Sequence, residues 1–175
     1  MRDVSRYSPP ASDVEGTDSR LQSILGQIRT APTAAAYVAA AEEYRRLGIL
    51  DKAFEQLERG AQLDAHDAAI NDAMARIWRD WGLPGAGLSS AYRAVYAEPR
   101  AAVPRHTLGT LLYALGQRTE AERAFREVVS LDPSAWYGWQ NLCQLAMADG
   151  RTHEAIALCQ RAATAHRESM KRGRP

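Results

Sequence analysis

Gly48, Gly82, Gly116 and Gly150 lie at a constant spacing of 34 residues, and that interval restricts the fold more than any other feature of the chain. A fixed period of this length belongs to stacked helical hairpins, whose units bury their apolar faces only against each other. Other residue types recur in phase. Five residues after each glycine stand Ala53, Gly87, Ala121 and Ala155, and seven before each stand Ala41, Ala75, Gly109 and Cys143. Small side chains in both columns are what two helices need where their axes approach to about 8–10 Å. Bulky apolar residues flank them: Tyr44, Trp78 and Leu112 in one column, Met74, Leu108 and Leu142 in another. Each glycine is expected to close the first helix of its unit in the left-handed conformation, which costs Gly no Cβ clash. Asp51, Thr119 and Thr152 follow within four residues and are expected to N-cap the second helix. Seventeen residues past the glycines, Pro99 and Pro133 stop that second helix, with Ala65 and Arg167 in the same column.

The chain resembles the tetratricopeptide repeat family, whose unit carries W-x2-L-G-x2-Y, then A-x3-F, then P. The third unit has Leu108-Gly109, Gly116, Ala121-x3-Phe125 and Leu131-Asp132-Pro133; the fourth has Trp139-x2-Leu142, Gly150, Ala155 and Ala162. The first has Tyr44, Gly48, Ala53 and Leu63-Asp64. The second departs most, with Asn71 for the aromatic, Gly87 for the alanine and Ala91 for the large apolar residue, while Pro99 is kept. The expected fold is all-α, an α-solenoid of four antiparallel helix-turn-helix repeats with a leading N-terminal helix. The expected layout is a disordered segment over 1–19, an amphipathic capping helix over 20–31, repeats at 34–67, 68–101, 102–135 and 136–167, and a basic tail over 168–175. Leu21, Ile24, Leu25 and Ile28 give the leading helix one apolar face, suited to covering the first repeat. A swapped arm or a dimerisation helix is the alternative.

A net charge of +1 offers nothing that argues for nucleic acid. Residues 1–19 hold Pro9-Pro10 and acidic residues but no apolar core of a secretory signal. No apolar stretch approaches the roughly 20 residues that span a bilayer. A cytoplasmic protein without membrane contact is expected. Cys143 and Cys159 fall on the two helices of the last unit, facing the hairpin interior, and are read as buried reduced thiols, a disulfide or metal pair being the alternative. Asp64, His66 and Asp67 cluster between the first two units, where Asp near a helix start is favoured by the dipole; no metal is expected there. With no phosphate loop, nucleophile elbow, HExxH or CxxC, neither catalysis nor a cofactor is expected.

In the family that the chain resembles, the first helices line a concave groove, and helical spacing carries this onto Val38, Glu42 and Arg45, with Arg46 beside them, then Asp72, Arg76 and Arg79. It continues onto His106, Thr110 and Tyr113, then Tyr137, Gln140, Gln144 and Met147. The first half carries Arg45, Arg46, Arg76 and Arg79, partly offset by Glu42, Asp72 and Asp80; the second half is uncharged. A protein partner, an extended peptide or helix with an acidic end and an apolar end, fits this gradient. Four-residue pairs such as Glu42–Arg46 and Asp72–Arg76 fit an exposed helix without a ligand equally well. Chaperone-binding members clamp a terminal carboxylate with Lys, Asn and Arg. The matching places here hold Val38, Glu42, Asp72, Ala73, Val103 and Thr107, so that activity is not implied. The reading is a non-catalytic adaptor. The alternatives are an assembly subunit, self-associating through the last repeat near Ile156, and a small secretion-type chaperone.

Overall fold

The structure is a computed structural model that describes residues 16–173. Most of the stretch read above as disordered lies outside the described residues. Among those described there are nine α-helices and no strand: α1 (Ser19–Thr30), α2 (Ala34–Arg46), α3 (Leu50–Ala61), α4 (Ala68–Asp80), α5 (Pro84–Ala97), α6 (Ala102–Ala114), α7 (Arg118–Leu131), α8 (Trp136–Ala148) and α9 (Thr152–Arg172). The expected all-α class, a leading helix followed by four antiparallel hairpins, is the one observed. The described residues divide into two compact units, the first ending at Ala97 and the second beginning at Glu98. The first holds α1 and the hairpins α2–α3 and α4–α5. The second holds α6–α7 and α8–α9.

One turn closes the first helix of every hairpin. Gly48, Gly82, Gly116 and Gly150 have φ of 77°, 77°, 78° and 71°, the left-handed region that a side chain resists. The amide after each glycine reaches back five residues: Ile49 to the carbonyl of Tyr44, Leu83 to Trp78, Gln117 to Leu112 and Arg151 to Ala146, each at 2.9 Å. This Schellman closure satisfies carbonyls that a helix end leaves unpaired. The second helix starts at once. Its caps at Ile49, Gln117 and Arg151 make no side-chain bond, so Asp51, Thr119 and Thr152 lie inside the helices and are not the N-caps the sequence suggested. Side-chain caps occur elsewhere: Asp67 accepts from the Ile70 amide of α4 and Thr33 from the Ala36 amide of α2.

All eight residues of the two small columns are buried. The approach is close: a Cβ on Gly87 would stand 3.0 Å from the Ala75 carbonyl oxygen, and one on Gly109 2.6 Å from the Phe125 ring. In the first unit Leu21, Ala41, Tyr44, Ile49, Ala53, Leu57, Ala73 and Ile77 form one apolar cluster. Leu21 brings α1 into that cluster and is fully buried. Charge fastens the same helix, since buried Glu43 pairs with Arg46 and with Arg20 of α1, and Arg46 reaches Asp18, the N-cap of α1, at 2.7 Å.

Pro99 and Pro133 stand just beyond the ends of α5 and α7, where the missing N–H and the ring forbid a further turn. Arg167 holds the same column in the last hairpin, and α9 runs past it to Arg172. Much of the expected basic tail is therefore helix.

Candidate protein-binding faces

In the first unit α2 and α4 present the arginines that the sequence placed on a recognition face, and the structure pairs every one of them. Arg45 reaches Asp80 at 2.9 Å and Glu42 at 3.1 Å. Arg76 reaches Glu42 at 2.9 Å and Asp72 at 3.0 Å, and Arg79 reaches Asp80 at 2.9 Å. Three guanidiniums thus share three carboxylates in one network. Burial opposes the charge of Arg45, but its bonds to Asp80 and Glu42 outweigh that and hold the group more firmly protonated than usual. Asp72 is buried, and its Oδ1 has no hydrogen-bond partner among the described residues. Val38 packs partly against the core cluster, and Arg46 bonds Glu43 and Asp18, not Glu42.

The corresponding face of the second unit is uncharged. Asn141 meets His106 Nε2 at 2.7 Å, and the His106 and Tyr137 rings lie 4.6 Å apart. Thr110 donates to the carbonyl of Thr107 in its own helix. Tyr113 is 43% exposed and Met147 64%. Gln140 and Gln144 are exposed but look elsewhere: with Trp136 and His166, whose rings lie 4.7 Å apart, they border a groove of about 440 Å³ at the end of the α8–α9 hairpin.

Cys143 and Cys159 also border that groove, and they are joined as a disulfide. This corrects the expectation of reduced thiols. The two columns face one another across the hairpin with Cα atoms 5.2 Å apart, inside the range that a disulfide spans.

Some features had no signal in the period. Tyr92 and Tyr96 stand one turn apart on α5, 54% and 90% exposed, and with His66 and Arg93 line a second groove of about 440 Å³. Arg151 gathers Glu122, Asp149 and Glu154 within 3.0 Å. Its bond to Glu122, foremost among these, raises the guanidinium pKa further. Among the described residues no three His, Cys, Asp or Glu are grouped to hold a metal, and no helix is long and apolar enough to cross a membrane.

A sequence profile described as tetratricopeptide repeat matches residues 104–134. The chain has the helical-hairpin fold of tetratricopeptide repeat proteins. No curated protein matches it in sequence. Solved structures are similar to it in fold. A crystal structure of MamA is 17% identical, with 98% of this chain and 99% of that one covered at a TM-score of 0.71. TTC0263, a thermophilic tetratricopeptide protein of Thermus thermophilus, is 18% identical, with 95% and 91% covered at 0.77. The first such domain of Spaghetti (RPAP3), bound to the HSP90 peptide SRMEEVD, is 18% identical, with 67% and 93% covered at 0.62. At these identities the likeness establishes the repeat architecture and leaves the client of this chain to its own residues.

Proposed function

We propose that this repeat protein is a non-catalytic adaptor that holds an extended peptide or a helix of another protein on the first-helix faces of its hairpins. The observation that carries the reading is the uncharged face of α6 and α8: Tyr113 and Met147 stand exposed on those two helices, and the His106–Tyr137 ring pair joins them. Tyr and Met supply adaptable contact area to a bound chain. The residues proposed for contact are Arg45, Arg76 and Arg79 in the first unit and His106, Tyr113, Tyr137, Gln140, Gln144 and Met147 in the second.

The ion pairs change what an acidic client end meets. It would compete with Glu42, Asp72 and Asp80 for guanidiniums already engaged, so it adds selectivity more than affinity. The RPAP3 domain holds an acidic HSP90 peptide. This chain has Asp72 and Thr107, both buried, among the places where a carboxylate clamp would stand, and a different client follows.

A photocrosslinking residue in place of Tyr113 should trap a client protein, whereas one in place of Arg123 on α7 should not. With that client in hand, Tyr113→Ala with Met147→Ala should weaken binding by calorimetry more than Arg76→Glu with Arg79→Glu does. Crosslinks from position 123 alone would sink the assignment. A cytoplasmic setting would keep the Cys143–Cys159 pair reduced, and an oxidising compartment would keep it closed. Thiol alkylation at the moment of cell lysis distinguishes the two.

A further inference from the structure

We propose that the α8–α9 hairpin carries a docking site for one more amphipathic helix, supplied by another protein and presenting a large apolar side chain to Ala162 and Ala163. The site lies on the α8–α9 hairpin alone and shares only Gln140 and Gln144 with the contact residues proposed for the first-helix faces.

The 34-residue period supplies its seat. In the second unit α8 lies on the α6–α7 hairpin through three contacts. Gly138 faces Val128 and Val129 so closely that a Cβ there would stand 2.8 Å from a methyl group of each. The Tyr137 ring lies 4.6 Å from His106, and Asn141 meets the same imidazole at 2.7 Å. Advancing Val128, Val129 and His106 by one period gives Ala162, Ala163 and Gln140. All three line the 440 Å³ groove, together with Trp136, Gln144 and the disulfide. The positions that seat α8 thus recur, one period on and with smaller side chains, around an open volume.

The first unit shows what the occupant must carry. There the seat position of Val128 is held by Gly60, and the arriving-helix position of Gly138 is held by Ile70. A Cβ on Gly60 would stand 3.0 Å from Ile70 Cδ1, and Ile70 is fully buried. Large therefore meets small in both units, with the roles exchanged. At the last hairpin the seat is small again, so the incoming helix needs an Ile-like or Leu-like residue where α8 has glycine. Apart from His166 at the rim, the lining is uncharged, so the buried stripe of that helix is uncharged too. A second copy of this face would bring hollow against hollow and fill neither.

A helix-stapled peptide copying residues 67–80, whose Ile70 is the side chain in question, can be titrated into the full chain by fluorescence anisotropy. Saturable binding is expected, weakened about tenfold or more by Ile70→Ala in the peptide. Ala163→Arg in the protein, at an exposed position where the circular-dichroism melt should not move, should weaken it comparably, and Gln144→Glu on the opposite wall should weaken it as well. Absence of binding, or binding indifferent to both protein variants, overturns the proposal. Light scattering that shows a wild-type dimer, converted to monomer by Ala163→Arg, also overturns it, because a second copy would then fill the groove.

Discussion

In the first unit, charge ties together the exposed face of α2 and α4: Arg45, Arg76 and Arg79 with Glu42, Asp72 and Asp80. In the second, the face of α6 and α8 holds its shape with rings and one imidazole bond, and a disulfide fastens its last hairpin. Both units nevertheless share one turn and one pair of small columns. The template therefore governs backbone closure and helix approach, and it leaves the chemistry of the open faces free. A scaffold of this kind can change clients without altering what makes it fold.

The disulfide is the largest asymmetry between the units. It closes a loop of 16 residues, which in the chain-entropy account contributes about 3 kcal/mol. Reductant should lower the unfolding free energy by roughly that amount in urea titrations and leave the Cys143→Ser, Cys159→Ser double variant unmoved. An unchanged midpoint, or two titratable thiols in native protein purified without reductant, would break this part of the contrast. The turn offers the opposite test, since it should be equal in the two units. Gly82 and Gly116 have φ of 77° and 78°, so Gly82→Ala and Gly116→Ala should each cost about 1 kcal/mol. Costs differing more than twofold would mean that the shared turn is not energetically shared.

The smallest expected effect belongs to the first unit alone. The Leu21 amide bond holds the Asp18 carboxyl below its usual range; partial burial opposes this, and the charge of Arg46 adds to it. A carboxyl lowered in the folded state stabilises above its unfolded pKa of about 4, and that stability fades as pH falls through the folded value. Hydrogen exchange at the Leu21 amide should accelerate below pH 4, and Asp18→Asn, which keeps the cap, should flatten the profile. Equal pH dependence in the variant would remove Asp18 from the account.

What could be read in advance was whatever backbone geometry imposes. Left-handed turns require glycine, and close helix approach requires Ala41, Ala75, Gly109 and Cys143, so those positions betray themselves. Long side chains do not. Arg45 finds Asp80 on the next hairpin, 35 residues away, and spacing along one helix points to nearer partners. Cys143 and Cys159 were legible as facing residues, but spacing does not record oxidation state. The misplaced caps have a similar origin: the Schellman turn runs directly into the next helix, and Thr119 and Thr152 have no gap to fill. The continuation of α9 past Arg167 was not legible, because the missing proline alone does not extend a helix: Ala65 holds the same column and α3 ends at Ala61.

Eleven residues before three of the glycines stand Asn71, Arg105 and Trp139, and each donates from its side chain to the carbonyl six residues earlier, at Ala65, Pro99 and Pro133. Each also engages the residue eleven after the glycine: Asn71 accepts from Arg93, Arg105 pairs with Glu127, and Arg161 lies over the Trp139 ring. An amide, a guanidinium and an indole thus fill one post, each with a matched companion on the other arm of its own hairpin. Chimaeras that exchange whole hairpins would keep these couples intact. Exchanging single helices would separate them, stranding Arg105 opposite Arg93 or Arg161.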